Sequence, residues 1–285
     1  MNRRRFVETL AALGVLPGAA NIAGAVEPAP RLKNIGIQLY SVRRELARDF
    51  EGTLARVAGI GYKEVEFAGY FDRPPKEVKA ILDRYRLAAP SVHVPIEVAR
   101  EDWAGALATA NVIGHRYVVV PWLPPESRRT LDDFKRLAAE FNRLGEESRR
   151  AGLRFAYHNH DFEFAPLNGR VPYDVLLAET DPSNVALELD LFWITKGGQE
   201  PLKYFASYPG RFEMVHVKDS SGPPEHRQVN VGRGTIDFGR ILGRRQQAGI
   251  RHLFVEHDDP GDPLAFARAS YDYLARLRLG PDLAR

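Results

Sequence analysis

No cysteine occurs in this chain, which excludes disulfides, thiolate metal sites and cysteine nucleophiles. The body also lacks a long Lys/Arg run with interleaved aromatics. Nucleic acid is therefore not the expected partner, although the isoelectric point is about 9.1. The apolar stretch near the start is too short to cross a bilayer as a permanent helix, so no membrane span is expected. What remains is an ordinary globular composition. Of 285 residues, 44% are hydrophobic and 27% charged, with a net charge of +3, enough for one large domain or two small ones.

The first 25 residues read as an export signal rather than part of a fold. Arg3-Arg4-Arg5-Phe6-Val7 precedes the apolar Leu10–Leu16 stretch, and a small-residue segment ends at Ala23-Gly24-Ala25. The order of arginines, phenylalanine and apolar residue resembles a twin-arginine signal, a bacterial export route for folded proteins. The mature chain is expected to begin near Val26 and to work outside the cytoplasm, in the periplasm.

From Lys33 onward, short apolar runs alternate with amphipathic stretches. Strands are predicted at 35–40, 64–67, 88–94, 117–121, 153–158, 185–190, 214–217 and 253–256. Helices are predicted at 44–59, 75–85, 103–113, 130–151, 173–178, 202–207, 238–247 and 263–277. Eight strands alternating with eight helices over about 250 residues is the count of an α/β fold of the (β/α)8 TIM barrel type, here one domain over 33–280. A doubly wound open sheet usually carries a Gly-rich phosphate turn after its first strand, and Ile37-Gln38-Leu39-Tyr40-Ser41 is no such turn. Gly232-Arg233-Gly234-Thr235 lacks the context of a dinucleotide fingerprint and reads as a loop over the end of the seventh strand.

The ionisable residues gather at the C-terminal ends of these strands, which in a parallel barrel share one mouth. Two-residue alternation then sorts them by facing. Gln38 and Tyr40, Glu64 and Glu66, Ser91 and His93, His158 and His160, Glu188 and Asp190, His216 and Lys218, and Glu256 and Asp258 all fall on the inward face. A lone strand-end histidine is more often a hydrogen-bonded structural residue than a ligand. Several inward carboxylates, however, cannot share a site without a cation. Asp190, His216 and Glu256 are the best ligand candidates for a divalent metal, with His158 or His160 completing the set. Glu188 reads equally as an orienting partner or as a deeper inward acid. Lys218 could stabilise a developing oxyanion. Tyr40, Glu66, His93 and Trp193 are candidate substrate contacts, and Trp122 joins Trp193 at the mouth.

These motifs resemble the xylose-isomerase-like TIM barrel superfamily, often described as sugar phosphate isomerases/epimerases. The resemblance rests on Ile35-Gly36-Ile37-Gln38-Leu39-Tyr40-Ser41, Val65-Glu66-Phe67, His158-Asn159-His160-Asp161-Phe162-Glu163-Phe164, Leu189-Asp190, Val215-His216-Val217-Lys218-Asp219, Gly232-Arg233-Gly234-Thr235-Ile236-Asp237 and Phe254-Val255-Glu256. It implies Mn, Mg, Co or Zn held by residues of strands five to eight, commonly Glu, Asp, His and Glu. The last three match Asp190, His216 and Glu256. Where many members carry the strand-five glutamate, this chain has His158. That glutamate is one of the two acid/base groups of ketose epimerases, so its replacement argues against a simple two-glutamate epimerase.

The expected activity is proton abstraction beside the carbonyl of a carbohydrate or polyol, with a metal-held enediolate and Glu256, His158 or His160 moving protons. Isomerase/epimerase is the first reading. A lyase or dehydratase acting on a keto-sugar, keto-glycoside or keto-inositol is the second, and a non-catalytic exported sugar-binding protein the third. The sequence leaves homo-oligomerisation open.

Overall fold

A computed structural model describes residues 31–280, so the predicted signal at 1–25 lies outside the described residues. The apolar runs become β1 (Gly36–Gln38), β2 (Glu64–Phe67), β3 (Ala88–His93), β4 (Tyr117–Val120), β5 (Arg154–His158), β6 (Val185–Asp190) and β7 (Phe212–Val217). A short hairpin, β8 (Asp219–Ser220) and β9 (Gln228–Val229), precedes β10 (His252–Val255). All but the hairpin strands pair in parallel and close into a barrel in chain order, with β10 returning to β1. This is the predicted eight-stranded TIM barrel.

The helices between them are α1 (Arg43–Arg48), α2 (Phe50–Ile60), α3 (Pro75–Tyr85), α4 (Ile96–Ile113), α5 (Leu131–Arg150), α6 (Pro172–Glu179), α7 (Leu191–Lys196), α8 (Pro201–Ser207), α9 (Phe238–Leu242), α10 (Arg245–Ala248) and α11 (Pro263–Arg276). Their ends follow local chemistry. Thr130 and Asp133 form a capping box at the start of α5. Gly114 and Gly249 end α4 and α10 with φ of 94° and 92°, where a side chain would be strained. No helix among the described residues is long and apolar enough to cross a membrane.

Among the boundaries that differ from the sequence reading, four have a clear local cause or consequence. The helix expected at 44–59 is two, because Asp49 leaves helical geometry (φ −151°) and its carboxylate caps α2 through Gly52 N. The helix expected at 103–113 begins at Ile96 and is broken at Asp102 (φ −147°). The helix expected at 238–247 is divided into α9 and α10. The first strand stops at Gln38, whose side chain accepts from Tyr40 N and turns the chain into a 3-10 turn over Leu39–Val42. Tyr40 consequently stands on the rim, 41% exposed, rather than on a strand.

Alternation separates two apolar regions. Residues facing outward pack with the helices in one large core. Inside the barrel, Tyr117, Val119, Ala156, Ala186, Met214 and Phe254 form a separate layer. Gly36 makes room for it, since a Cβ there would stand 2.5 Å from the Phe254 ring. At the strands' N-terminal ends lies a polar group. Glu64 pairs with His252 at 2.8 Å, while Glu213 receives Tyr117 Oη at 2.8 Å and Arg154 at 2.8 Å.

Candidate active site

Above the apolar layer the inward positions turn polar, and side chains remote in sequence meet. Strand pairing sets their heights: Gln38 lies beside Glu66, Glu66 beside Ser91, His158 beside Glu188 and Asp190 beside His216. A lower tier holds Gln38, Glu66, Ser91, His93 and Glu188. An upper tier holds Asp190, Lys218, Glu256 and Asp258.

His216 and His158 join the two tiers. His216 Nε2 faces downward, 2.6 Å from Glu66 and 3.3 Å from Glu188. Its Nδ1 faces upward, 2.7 Å from Glu256 and 3.9 Å from Asp190. His158 repeats the arrangement, with Nδ1 3.3 Å from Glu188 and Nε2 3.8 Å from Asp190. His93 ties the lower acids together, 2.8 Å from Glu188 and 3.3 Å from Glu66. Lys218 Nζ lies 2.7 Å from Glu256, 2.8 Å from Asp258 and 3.3 Å from Asp190.

Burial penalises every charge here, and the neighbours decide which survive. For His216, burial opposes the proton, but Glu188, Glu256 and Glu66 outweigh it and hold the ring's pKa well above 6.5. For His93 the same contest, with Glu66 the leading carboxylate, ends at about 9. Lys218 stays protonated despite burial because of Asp190, Glu256 and Asp258. Glu66 and Glu256 overcome burial through their cationic neighbours and stay ionised well below the usual carboxylate range. His158 goes the other way: burial and the adjacent His216 hold its ring neutral. Burial also raises Asp190 to about 6.

The residues present fit a divalent ion. Asp190, His216 and Glu256 offer donor atoms all within 4.8 Å of one another. Asp190 spends Oδ1 on the backbone N–H groups of Phe192 and Trp193, which starts α7, and keeps Oδ2 free of hydrogen bonds in a fully buried place. With only the Lys218 ammonium near it, at 3.3 Å, this buried oxygen keeps a lone pair for a cation. From strand five, His158 Nε2 stands 3.8 Å from Asp190 Oδ2, outside this three-residue grouping. A second grouping, His93, His158, Glu188 and His216, also satisfies the same spacing.

Over this centre opens a cavity of about 570 Å³. One wall is polar, with His160, Lys218, Glu256 and Asp258. The other is apolar, with Ala68, Gly69, Pro95, Pro121 and Trp122. Of the predicted substrate contacts, Tyr40 and His93 line it. Glu66 and Trp193 do not. Glu66 is sealed beneath the cavity, where Gln38 Nε2, His216 Nε2 and Ser91 Oγ all bond its carboxylate, so no oxygen is left for a sugar hydroxyl. Trp193 instead packs against His160 and the Lys218 ammonium.

His160 faces the cavity but stands outside both metal groupings. Its Nδ1 has no hydrogen-bond partner, and burial and Lys218 lower its pKa to about 3. The loop carrying it is fixed by Glu163, which accepts from His160 N and from Tyr157 Oη. Sequence reasoning assigned no role to Glu163, and an acid one turn past the strand gave no facing signal. It did place Asp258 and Gln38 inward without recognising their bonds. The Gly232–Thr235 loop sits where expected, its Gly232 and Gly234 N–H groups and that of Ile236 held by the buried Asp219.

The chain is 26% identical over 265 residues to the inosose dehydratase of Lacticaseibacillus casei, covering 79% of this chain and 88% of that one. A crystal structure of a sugar phosphate isomerase/epimerase from Parabacteroides distasonis superposes with a TM-score of 0.75 at 27% identity, over 93% of this chain and all of that one. The IOLI protein, solved with a zinc atom, shares the fold at 15% identity and a TM-score of 0.67, over 84% of this chain and 96% of that one. A family model described as xylose isomerase-like TIM barrel matches residues 54–277. The chain belongs to the xylose isomerase-like TIM barrel family.

Proposed function

We propose that this protein is a metal-dependent lyase of the dehydratase type, acting on a keto-sugar or keto-polyol such as an inosose. The observation that carries the reading is the contact of Glu256 with Lys218, 2.7 Å apart on a cavity wall to which strand five brings the imidazole of His158 rather than a second carboxylate. An epimerase needs a base on each face of the substrate carbon. An elimination needs one base and one acid. Here Glu256 takes the proton beside the carbonyl, and the electron pair moves to the carbonyl oxygen. The carbonyl then re-forms, the pair shifts into a new carbon–carbon double bond, and the carbon–oxygen bond at the next carbon breaks as the departing hydroxyl takes a proton from Lys218 and leaves as water.

Asp190, His216, Glu256 and His158 hold the divalent ion, whose identity among Mn, Zn, Co and Mg is open. When bound, it supplies Lewis-acid polarisation of the carbonyl. His160 Nδ1, buried and unpartnered on the cavity wall, donates or accepts one substrate hydroxyl bond. The inosose dehydratases among its relatives support this reading.

Isomerase or epimerase activity is the second reading. It starts with the same abstraction and is favoured by the name of the Parabacteroides distasonis structure. Incubation of metal-loaded protein with an inosose in D2O separates the two. Loss of one water by mass supports the lyase. Deuterium uptake with recovery of an epimer or isomer, and no loss of water, overturns it. Tight binding with neither outcome leaves a sugar-binding protein. Export to the periplasm belongs to the same proposal and rests on residues 1–25; N-terminal sequencing of secreted protein starting near Val26 tests it.

A further inference from the structure

The two histidines offered to the ion each turn their other nitrogen to a buried carboxylate of the tier below. We infer that Glu66 and Glu188 are positioning residues that fix which nitrogen of His216 and of His158 faces the ion. The inference rests on the metal reading above and extends it to residues that never reach the cavity.

The geometry is directional. His216 presents Nδ1 to Glu256 and Asp190, and its opposite nitrogen Nε2 meets Glu66 at 2.6 Å. An imidazole that coordinates through Nδ1 must carry its proton on Nε2, and Glu66 is placed to accept that proton's bond. Such a carboxylate fixes ring orientation and raises ligand basicity. Glu66 cannot turn away, because Gln38 Nε2 bonds the same oxygen at 2.8 Å and Ser91 Oγ holds the other. His158 is the mirror case. Its Nε2 stands 3.8 Å from Asp190 and its Nδ1 3.3 Å from Glu188, an ion-pair distance without hydrogen-bond geometry. His93 then locks Glu188 from the other side at 2.8 Å.

This arrangement also assigns the strand-five donor. His158 has Glu188 behind it at 3.3 Å and Asp190 in front at 3.8 Å, whereas His160 belongs to neither metal grouping and its ring packs on Trp193. The competing idea is that His93, His158, Glu188 and His216 bind an ion of their own. The unpartnered Glu188 Oε1 is the observation in its favour. Against it, both nitrogens of His216 would have to be metal-bound at once, and Glu66 Oε2 already lies 2.6 Å from the Nε2 that this second ion would need.

The test uses full-length mature protein and Zn2+ as the probe, with affinity measured by competition against a chelator and the ion count by elemental analysis. Glu66→Gln and Glu188→Gln are each expected to weaken Zn2+ binding about 10- to 100-fold at one ion per chain, with far-UV circular dichroism unchanged. Histidine-selective 15N spectra of the Zn2+-loaded wild type provide a readout that a merely structural role would not move. They should show His216 protonated at Nε2 and His158 at Nδ1. Affinities within twofold of wild type, the opposite tautomers, or a second ion lost in Glu188→Gln would each overturn the inference. Wild type taking up no ion overturns the metal reading as well, whereas unchanged variants beside a metal-binding wild type overturn this inference alone.

Discussion

The Lys218 ammonium lies 2.7 Å from Glu256 in a place where neither is open to solvent. It also serves Asp258 and Asp190, so one cation stands among three carboxylates. Removing one partner of a buried pair leaves the other charge uncompensated, at a cost of about 3–5 kcal/mol. Lys218→Met should therefore lower the stability of the metal-free protein by roughly that amount. Urea unfolding checks it, and added divalent ion should recover part of the loss.

Asp190 does two jobs with two oxygens, and substitutions should separate them. Asn caps a helix as well as Asp does, whereas Ala loses about 0.5–2 kcal/mol. Asp190→Asn is expected to abolish tight metal binding while keeping α7. Asp190→Ala should lose both, with the added stability loss visible in thermal unfolding. His216→Ala should lose the ion without touching the cap.

His93 makes the metal-free protein sensitive to alkali. Its pKa is raised from 6.5 to about 9 in the fold, so the native state holds more proton than the unfolded one across that interval. The stabilisation is complete below pH about 6.5 and fades as pH rises through about 9. Urea midpoints of the metal-free protein should fall from pH 6.5 to 9, and fall less in His93→Gln. A midpoint that rises over that range would contradict the placement of His93 between Glu66 and Glu188.

Glu213, at the far end of the barrel, gathers Tyr117 and Arg154. Glu213→Ala strips both of their acceptor and should cost about 1–3 kcal/mol. Turnover per folded molecule should stay at the wild-type value, since the side chain lies below the apolar layer.

Much of this was legible in the chain because a barrel strand repeats every two residues. That period alone turned Glu188, Asp190, His216, Lys218, Glu256 and Asp258 inward, and the structure agrees. Height along the barrel was not legible, because it depends on register between strands. Glu66 and Asp190 both read as strand-end acids, yet one is sealed in the lower tier and the other stands in the upper. The helix α7 was missed because it starts directly after the last residue of a strand, leaving no loop to mark it. The two-residue strands β8 and β9 carry too little pattern to show a period.

The layer of Tyr117, Val119, Ala156, Ala186, Met214 and Phe254 acts as a septum across the barrel. It divides the interior into two polar compartments whose hydrogen bonds and ion pairs share no residue, while the Phe254 ring packs on His216 above and His252 below. Rearranging partners in the upper chamber, by an ion or by a substrate, breaks none of the bonds of the plug that holds the lower end shut. The protein can thus change its chemistry at one end while the integrity of the cylinder is secured at the other.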